Sequence, residues 1–203
     1  MTDMPADPRP LAARAAAQLA VLLDDVRPEA LARPTPCADW DVRALTEHIV
    51  SVAEAYAVIG ETGRDEAPDG VRARPLPEAP ADRAAVFATA RERLAAAWRD
   101  DAKLDKAYVL PWGEVSGRGT LTGYLLDGVT HAWDLARALD SGRPLDPELA
   151  EVSLAAARRV LPPERRGGPT PFEPVRPAPQ DADAYGRLAA WLGRDADWRA
   201  GRG

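Results

Sequence analysis

The 203-residue chain has one cysteine, Cys37, and two histidines, His48 and His131. A lone cysteine excludes an internal disulfide framework and fits a reducing compartment. Phenylalanine is as scarce as histidine, and β-branched residues are few; Ala, Arg, Leu and Glu fill the long segments instead. That leaves little material for strands and favours helix on propensity. No run of about 18 apolar residues occurs, so no membrane span is expected. The opening "MTDMPADPRP" lacks a basic region followed by an apolar one, so no secretory signal is expected and a cytoplasmic location follows. Charge of one sign is missing too. The net charge is −6, but acidic and basic residues are mixed throughout, without the basic stripe of a nucleic-acid binder. No phosphate loop, dinucleotide fingerprint or Ser/His/Asp arrangement stands out.

What is present is apolar material for a sizeable core, 46% of the residues, much of it Ala and Leu. The length suits one domain over residues 1–203. Residues 9–27 read as an amphipathic helix, with Leu11, Ala15, Leu19, Leu22 and Val26 on one face. Pro34 and Pro36 interrupt the next stretch. Asp41 is a candidate N-cap for a second helix, with Trp40 placed to staple onto Leu45 and Gly60 as its stop. Its apolar stripe is Val42, Leu45, Ile49, Val52 and Tyr56. Residues 60–81, rich in Gly, Pro and charge, read as a long crossover. A third helix follows, turning Phe87, Leu94 and Trp98 inward. Residues 103–119 are expected to be extended, as a loop or short hairpin. Thr120 or Thr122 is the expected cap of a fourth helix ending near Ala138. Asp146 and Pro147 open a fifth, and a short helix closes the chain. The sum is an all-α protein, most simply a four-helix bundle with additions.

The two histidines carry the chemical interest. Asp127 and His131 stand four apart on the fourth helix and therefore share a face. His131 falls within the apolar stripe of Tyr124, Leu125, Gly128, Ala132 and Leu135, with Asp127 on its flank. His48 lies at the edge of the second helix's stripe. Two readings fit the spacing. The i, i+4 pair can be an ion pair or a hydrogen-bonded core histidine. Alternatively, His48, Asp127 and His131 can converge on one divalent cation, leaving a position open as in catalytic rather than structural sites. Asp134, one turn beyond His131, is expected further from the core, in a supporting or salt-bridge role with Arg137 or Arg43. Cys37 would need its loop to fold back to reach His48, roughly 10 Å along the helix from the cap, and is expected not to be a ligand. Trp40, Trp112 and Trp133 suit core or pocket walls.

Two stretches, "TPCADWDVRALTEHIV" and "LLDGVTHAWDLARAL", resemble the paired signatures TPCxxWxVRxLxxH and DxxxHxWDLA of the mycothiol-dependent maleylpyruvate isomerase-like group of the DinB superfamily. The tail "FEPVRPAPQDADAYGRLAAWLGRDADW" is similar to that of small stand-alone actinobacterial members. The resemblance implies a DinB-like four-helix bundle with a long crossover and short additional C-terminal helices. It implies a divalent metal ion, zinc or nickel, held by His48, Asp127 and His131. By the same resemblance the isomerases have Glu at the position of Asp127, and the shorter arm here is expected either to move the metal slightly or to weaken one ligand bond. It also implies mycothiol as a cosubstrate and a small electrophilic substrate, in a transferase or isomerase reaction. Trp112 and Trp133 are then candidate substrate-binding residues, and Glu114 a candidate catalytic proton shuttle or a solvated loop carboxylate. A cavity opening at the metal is expected to be walled partly by "YVLPWGEVSGRG". A non-catalytic metal- or small-molecule-binding bundle is the alternative. Neither nucleic acid nor membrane is an expected partner, and monomer and homodimer both fit.

Overall fold

A computed structural model of the chain describes residues 6–38, 40–64, 74–111, 113–166 and 172–200. The elements run α1 (Arg9–Asp24), α2 (Val42–Thr62), α3 (Pro80–Ala97), α4 (Ala102–Asp105), β1 (Ala107–Leu110), β2 (Gly113–Ser116), α5 (Gly117–Leu139), α6 (Pro147–Val160) and α7 (Ala184–Trp191), with single 3₁₀ turns at Pro28–Ala30 and Pro163–Arg165. Among the described residues the protein is all-α apart from one antiparallel hairpin, in which Ala107 faces Ser116 and Leu110 faces Gly113.

The helices form where their apolar residues can be buried. Leu11, Ala15, Leu19, Leu22 and Val26 are all buried, as are Val42, Leu45, Ile49, Val52 and Tyr56, and Phe87, Leu94 and Trp98. α1 packs on α3 and α5, and α2 packs on the same two helices. The four therefore form a ring in the order α1–α3–α2–α5, with α1 and α2 at opposite corners. α6 and α7 pack on each other and on α5. Their apolar faces close a second core with Leu125, Val129 and Trp133 of α5 and Leu11 and Ala15 of α1. α5 is thus the central helix, covered on both sides. No helix among the described residues is long and apolar enough to cross a membrane.

Several boundaries follow their local chemistry. Asp41 caps α2, its carboxylate accepting from the Ala44 N–H at 2.8 Å, and Asp146 caps α6. α2 runs past Gly60 and stops at Gly63, whose φ of 78° is the left-handed cap conformation. Gly60 is helical because Trp98 needs the space: a Cβ there would lie 2.7 Å from the indole nitrogen, which donates to the Tyr56 carbonyl at 2.8 Å. α5 begins earlier than its threonines suggested. Ser116 is the cap, accepting from the Gly119 N–H, and Thr120 and Thr122 lie inside the helix, donating to the carbonyls of Ser116 and Arg118. The expected long crossover joins α2 to α3; residues 65–73 of it lie outside the described residues.

Candidate metal centre

α2 and α5 are neighbours in the ring, and they bring His48, Asp127 and His131 together. His48 Nε2 lies 3.3 Å from Asp127 Oδ1, and His131 Nε2 lies 3.5 Å from the same oxygen. One donor atom from each of the three falls within 4.8 Å of the others. The imidazoles stand edge to face with centroids 4.8 Å apart. The side chains of Asp127 and His48 are 28% and 19% exposed, whereas that of His131 is 8% exposed. The group thus opens to solvent on the Asp127 side and is closed behind His131.

Behind His131 the polar network continues inward. Nδ1 lies 2.9 Å from Asp134 Oδ2, and Asp134 is wholly buried. Arg194 grips that carboxylate with two bonds, Nε to Oδ1 at 2.7 Å and Nη2 to Oδ2 at 2.8 Å. Asp134 is therefore deeper than Asp127, not shallower as a single-faced helical wheel suggested. The second layer of α6 and α7 buries the side of α5 that a simple bundle would leave wet. Nor is its partner Arg43 or Arg137. Arg43 pairs with Glu78, and the Arg137 guanidinium lies over the Trp133 ring at 5.3 Å.

This arrangement sets the protonation of the site. Burial works against a charged His131, but the carboxylates of Asp127 and Asp134 outweigh it and raise the imidazolium pKa to about 9. Burial likewise works against a charged Asp127, but the two imidazoles hold its carboxyl well below the usual carboxylate range. Asp134 is lowered too, burial being outweighed by Arg194 and His131. Two imidazole nitrogens and one carboxylate oxygen, converging with one histidine held from behind by a carboxylate, form a donor set suited to a borderline divalent cation.

The loop before α2 folds over the pair of histidines. The Trp40 ring lies 4.6 Å from that of His48 and 5.7 Å from that of His131, centroid to centroid. Trp40 is thus an aromatic wall of the site, packed on its other side against the first core. Two bridges between the flanks of the loop place it there, Val42 N–H to Arg33 and Arg43 N–H to Leu31, both 2.9 Å. The Thr35 hydroxyl accepts from the Cys37 N–H and donates to the Trp40 carbonyl. Cys37 is not among the residues whose donor atoms converge.

Trp133 and Glu114 are not among the residues whose donor atoms converge. Trp133 is buried in the second core with Leu125, Val129 and Leu149. Glu114 is exposed on β2, opposite Val109. The hairpin precedes α5, and Asp127 stands ten residues into that helix, about 15 Å along its axis. Trp112 lies outside the described residues.

Residues 12–136 match the family Mycothiol maleylpyruvate isomerase N-terminal domain. The chain belongs to that family. Two Mycobacterium tuberculosis proteins, from different strains and both designated uncharacterized, are 39% identical over 189 residues, 93% of this chain and 98% of theirs. The crystal structure of the mycothiol-dependent maleylpyruvate isomerase superposes with a TM-score of 0.61 at 17% identity, covering 94% of this chain and 89% of that one. A histidine-to-alanine mutant of the same isomerase gives 0.51 at 19% identity, over 73% and 65% of the two chains. At these identities the superpositions speak for the fold, which is the all-α DinB-like one.

Proposed function

We propose that the protein is a divalent-metal-dependent enzyme that uses a low-molecular-weight thiol, mycothiol, to transfer to or isomerise a small electrophilic substrate. The observation that carries this reading is the convergence of His48, Asp127 and His131 donor atoms within 4.8 Å, in a chain of the mycothiol maleylpyruvate isomerase family.

His48 and His131 would hold a zinc or nickel ion through Nε2, and Asp127 through one carboxylate oxygen. Asp134 accepts the His131 Nδ1–H, which turns the Nε2 lone pair toward the other two ligands. Three protein ligands leave room for an exogenous donor. When bound, the cation supplies positive charge that lowers the pKa of a thiol in reach. Asp127 is the most exposed of the three and marks the side on which a thiol would enter and lose its proton to solvent. Trp40 gives the electrophile a flat apolar face and excludes water from that side.

The test is reconstitution of dialysed protein with zinc or nickel, followed by mycothiol and a panel of small electrophiles that includes maleylpyruvate. Turnover should require both metal and thiol. His48→Ala should weaken zinc binding by more than the ~10–100-fold that loss of an outer-sphere partner costs. A wild-type protein that takes up no divalent metal, or that turns over equally well without it, overturns the proposal.

A further inference from the structure

We propose that Arg194, from the C-terminal segment, is a positioning residue for the metal centre, acting through Asp134 to fix the tautomer and orientation of His131. This rests on the reading of His131 as a ligand.

Three observations converge. The chain Arg194–Asp134–His131 consists of short, directed bonds: 2.7 and 2.8 Å from the guanidinium to the carboxylate, then 2.9 Å from the carboxylate to Nδ1. It is buried, Asp134 at 0% and the Arg194 side chain at 10% exposed, so water does not substitute for either partner. Arg194 is also fixed at its root. Gly193, with φ of 86°, closes α7 in a Schellman turn: the Arg194 N–H reaches the Ala189 carbonyl at 2.9 Å and the Gly193 N–H that of Ala190 at 3.1 Å. A Cβ on Gly193 would lie 2.6 Å from the Glu173 side chain, so the turn is held from outside as well. The end of α7 is therefore built to deliver one guanidinium to one carboxylate.

The chemistry follows from geometry. Asp134 is acceptor-only when ionised, so the nitrogen facing it carries the hydrogen, and Nε2 is left to face Asp127 and His48. Without Arg194 the carboxylate loses both bonds that set its plane and keeps only the one to His131 Nδ1. Residue 194 lies 58 positions beyond the end of the family match at residue 136. The C-terminal layer is thus part of the site and not only a cover for α5.

The variants are Arg194→Met, Asp134→Asn and the double variant, which removes both charges and guards against a misfolded single. The probe is zinc alone, titrated by calorimetry. Each single variant should weaken binding about 10- to 100-fold, and the double should be no weaker than the worse single, because both act along one path. Losses that multiply in the double, or an Arg194→Met protein with wild-type affinity, overturn the proposal. A second readout needs no metal: the ring ¹⁵N shifts of His131 in metal-free protein, followed to alkaline pH until they stop changing, so that only the neutral ring is read. The wild type should hold the proton on Nδ1, and Arg194→Met should show a tautomer mixture. An unchanged tautomer overturns the proposal. If wild-type protein binds no zinc, the metal reading fails, and the tautomer measurement alone decides the role of Arg194.

Discussion

His131 is held between two carboxylates that both favour its charged form. Asp134 accepts a hydrogen bond from Nδ1, and Asp127 favours a second proton on Nε2, which raises the imidazolium pKa to about 9. A cation entering the site must displace that second proton, so its apparent affinity should rise with pH, close to tenfold per unit between neutrality and about pH 9, and level off above. Calorimetry in buffers of different ionisation enthalpy checks this by counting the proton released. The same shift has a consequence for the metal-free protein. The folded pKa lies above the unfolded value of 6.5, so the stabilisation from charged His131 is complete below that value and is lost as pH rises through about 9. A melting series should show it. Cys37→Ser should leave zinc affinity within about 0.5 kcal/mol, roughly twofold, because Cys37 stands outside the converging group; a loss as deep as that of His48→Ala makes it a ligand. The inward direction of the three converging residues was legible in the sequence, because i, i+4 spacing and apolar stripes are local properties of a helix; that His48 of α2 joins the pair on α5 was implied by the family resemblance. The Asp134 partner was not. Arg194 is 60 positions away, and nothing in "WLGRDADW" marks one arginine among many. Trp40 was legible as a core or pocket-wall residue, but only the folded loop shows that its ring lies on both imidazoles.

At the scale of the element, α2 shows local preference giving way to packing. Glycine inside a helix costs about 1 kcal/mol relative to alanine, so Gly60→Ala would stabilise α2 if propensity decided. Contact decides instead. The new methyl would meet the ring of Trp98, which is 1% exposed and anchored to the Tyr56 carbonyl, and overpacking of this kind costs about 1–3 kcal/mol. Gly60→Ala should therefore lower the melting temperature; an increase would mean that the Trp98 ring yields freely. The same competition explains why the stop of α2 was misplaced by three residues in the sequence reading: two glycines were available, and only tertiary contact says which caps and which packs. The start of α5 was displaced for the opposite reason. Threonine is a good cap, but its hydroxyl also bonds the carbonyl four residues back within a helix, as Thr120 and Thr122 do.

At the scale of the molecule, the ring of α1, α3, α2 and α5 supplies the ligands, and the layer of α6 and α7 supplies what stands behind them. The ring was readable from periodicity, since each of its helices has an apolar stripe. The layering was not. α5 has one buried stripe toward the ring and another toward α6 and α7, and a helix buried all round reads as one with an ill-defined face. That is why the sequence left Trp133 open between core and pocket wall, and the second layer places it in the core. The central claim joins both scales: a cation held by His48, Asp127 and His131 recruits and activates a thiol. The most direct measurement is a calorimetric titration of mycothiol into zinc-loaded wild type, zinc-free wild type and zinc-treated His48→Ala. Binding should be saturable in the first and absent in the other two. Equal binding in all three, or none to a zinc-loaded protein of verified stoichiometry, would show that the thiol does not meet the protein at this metal centre.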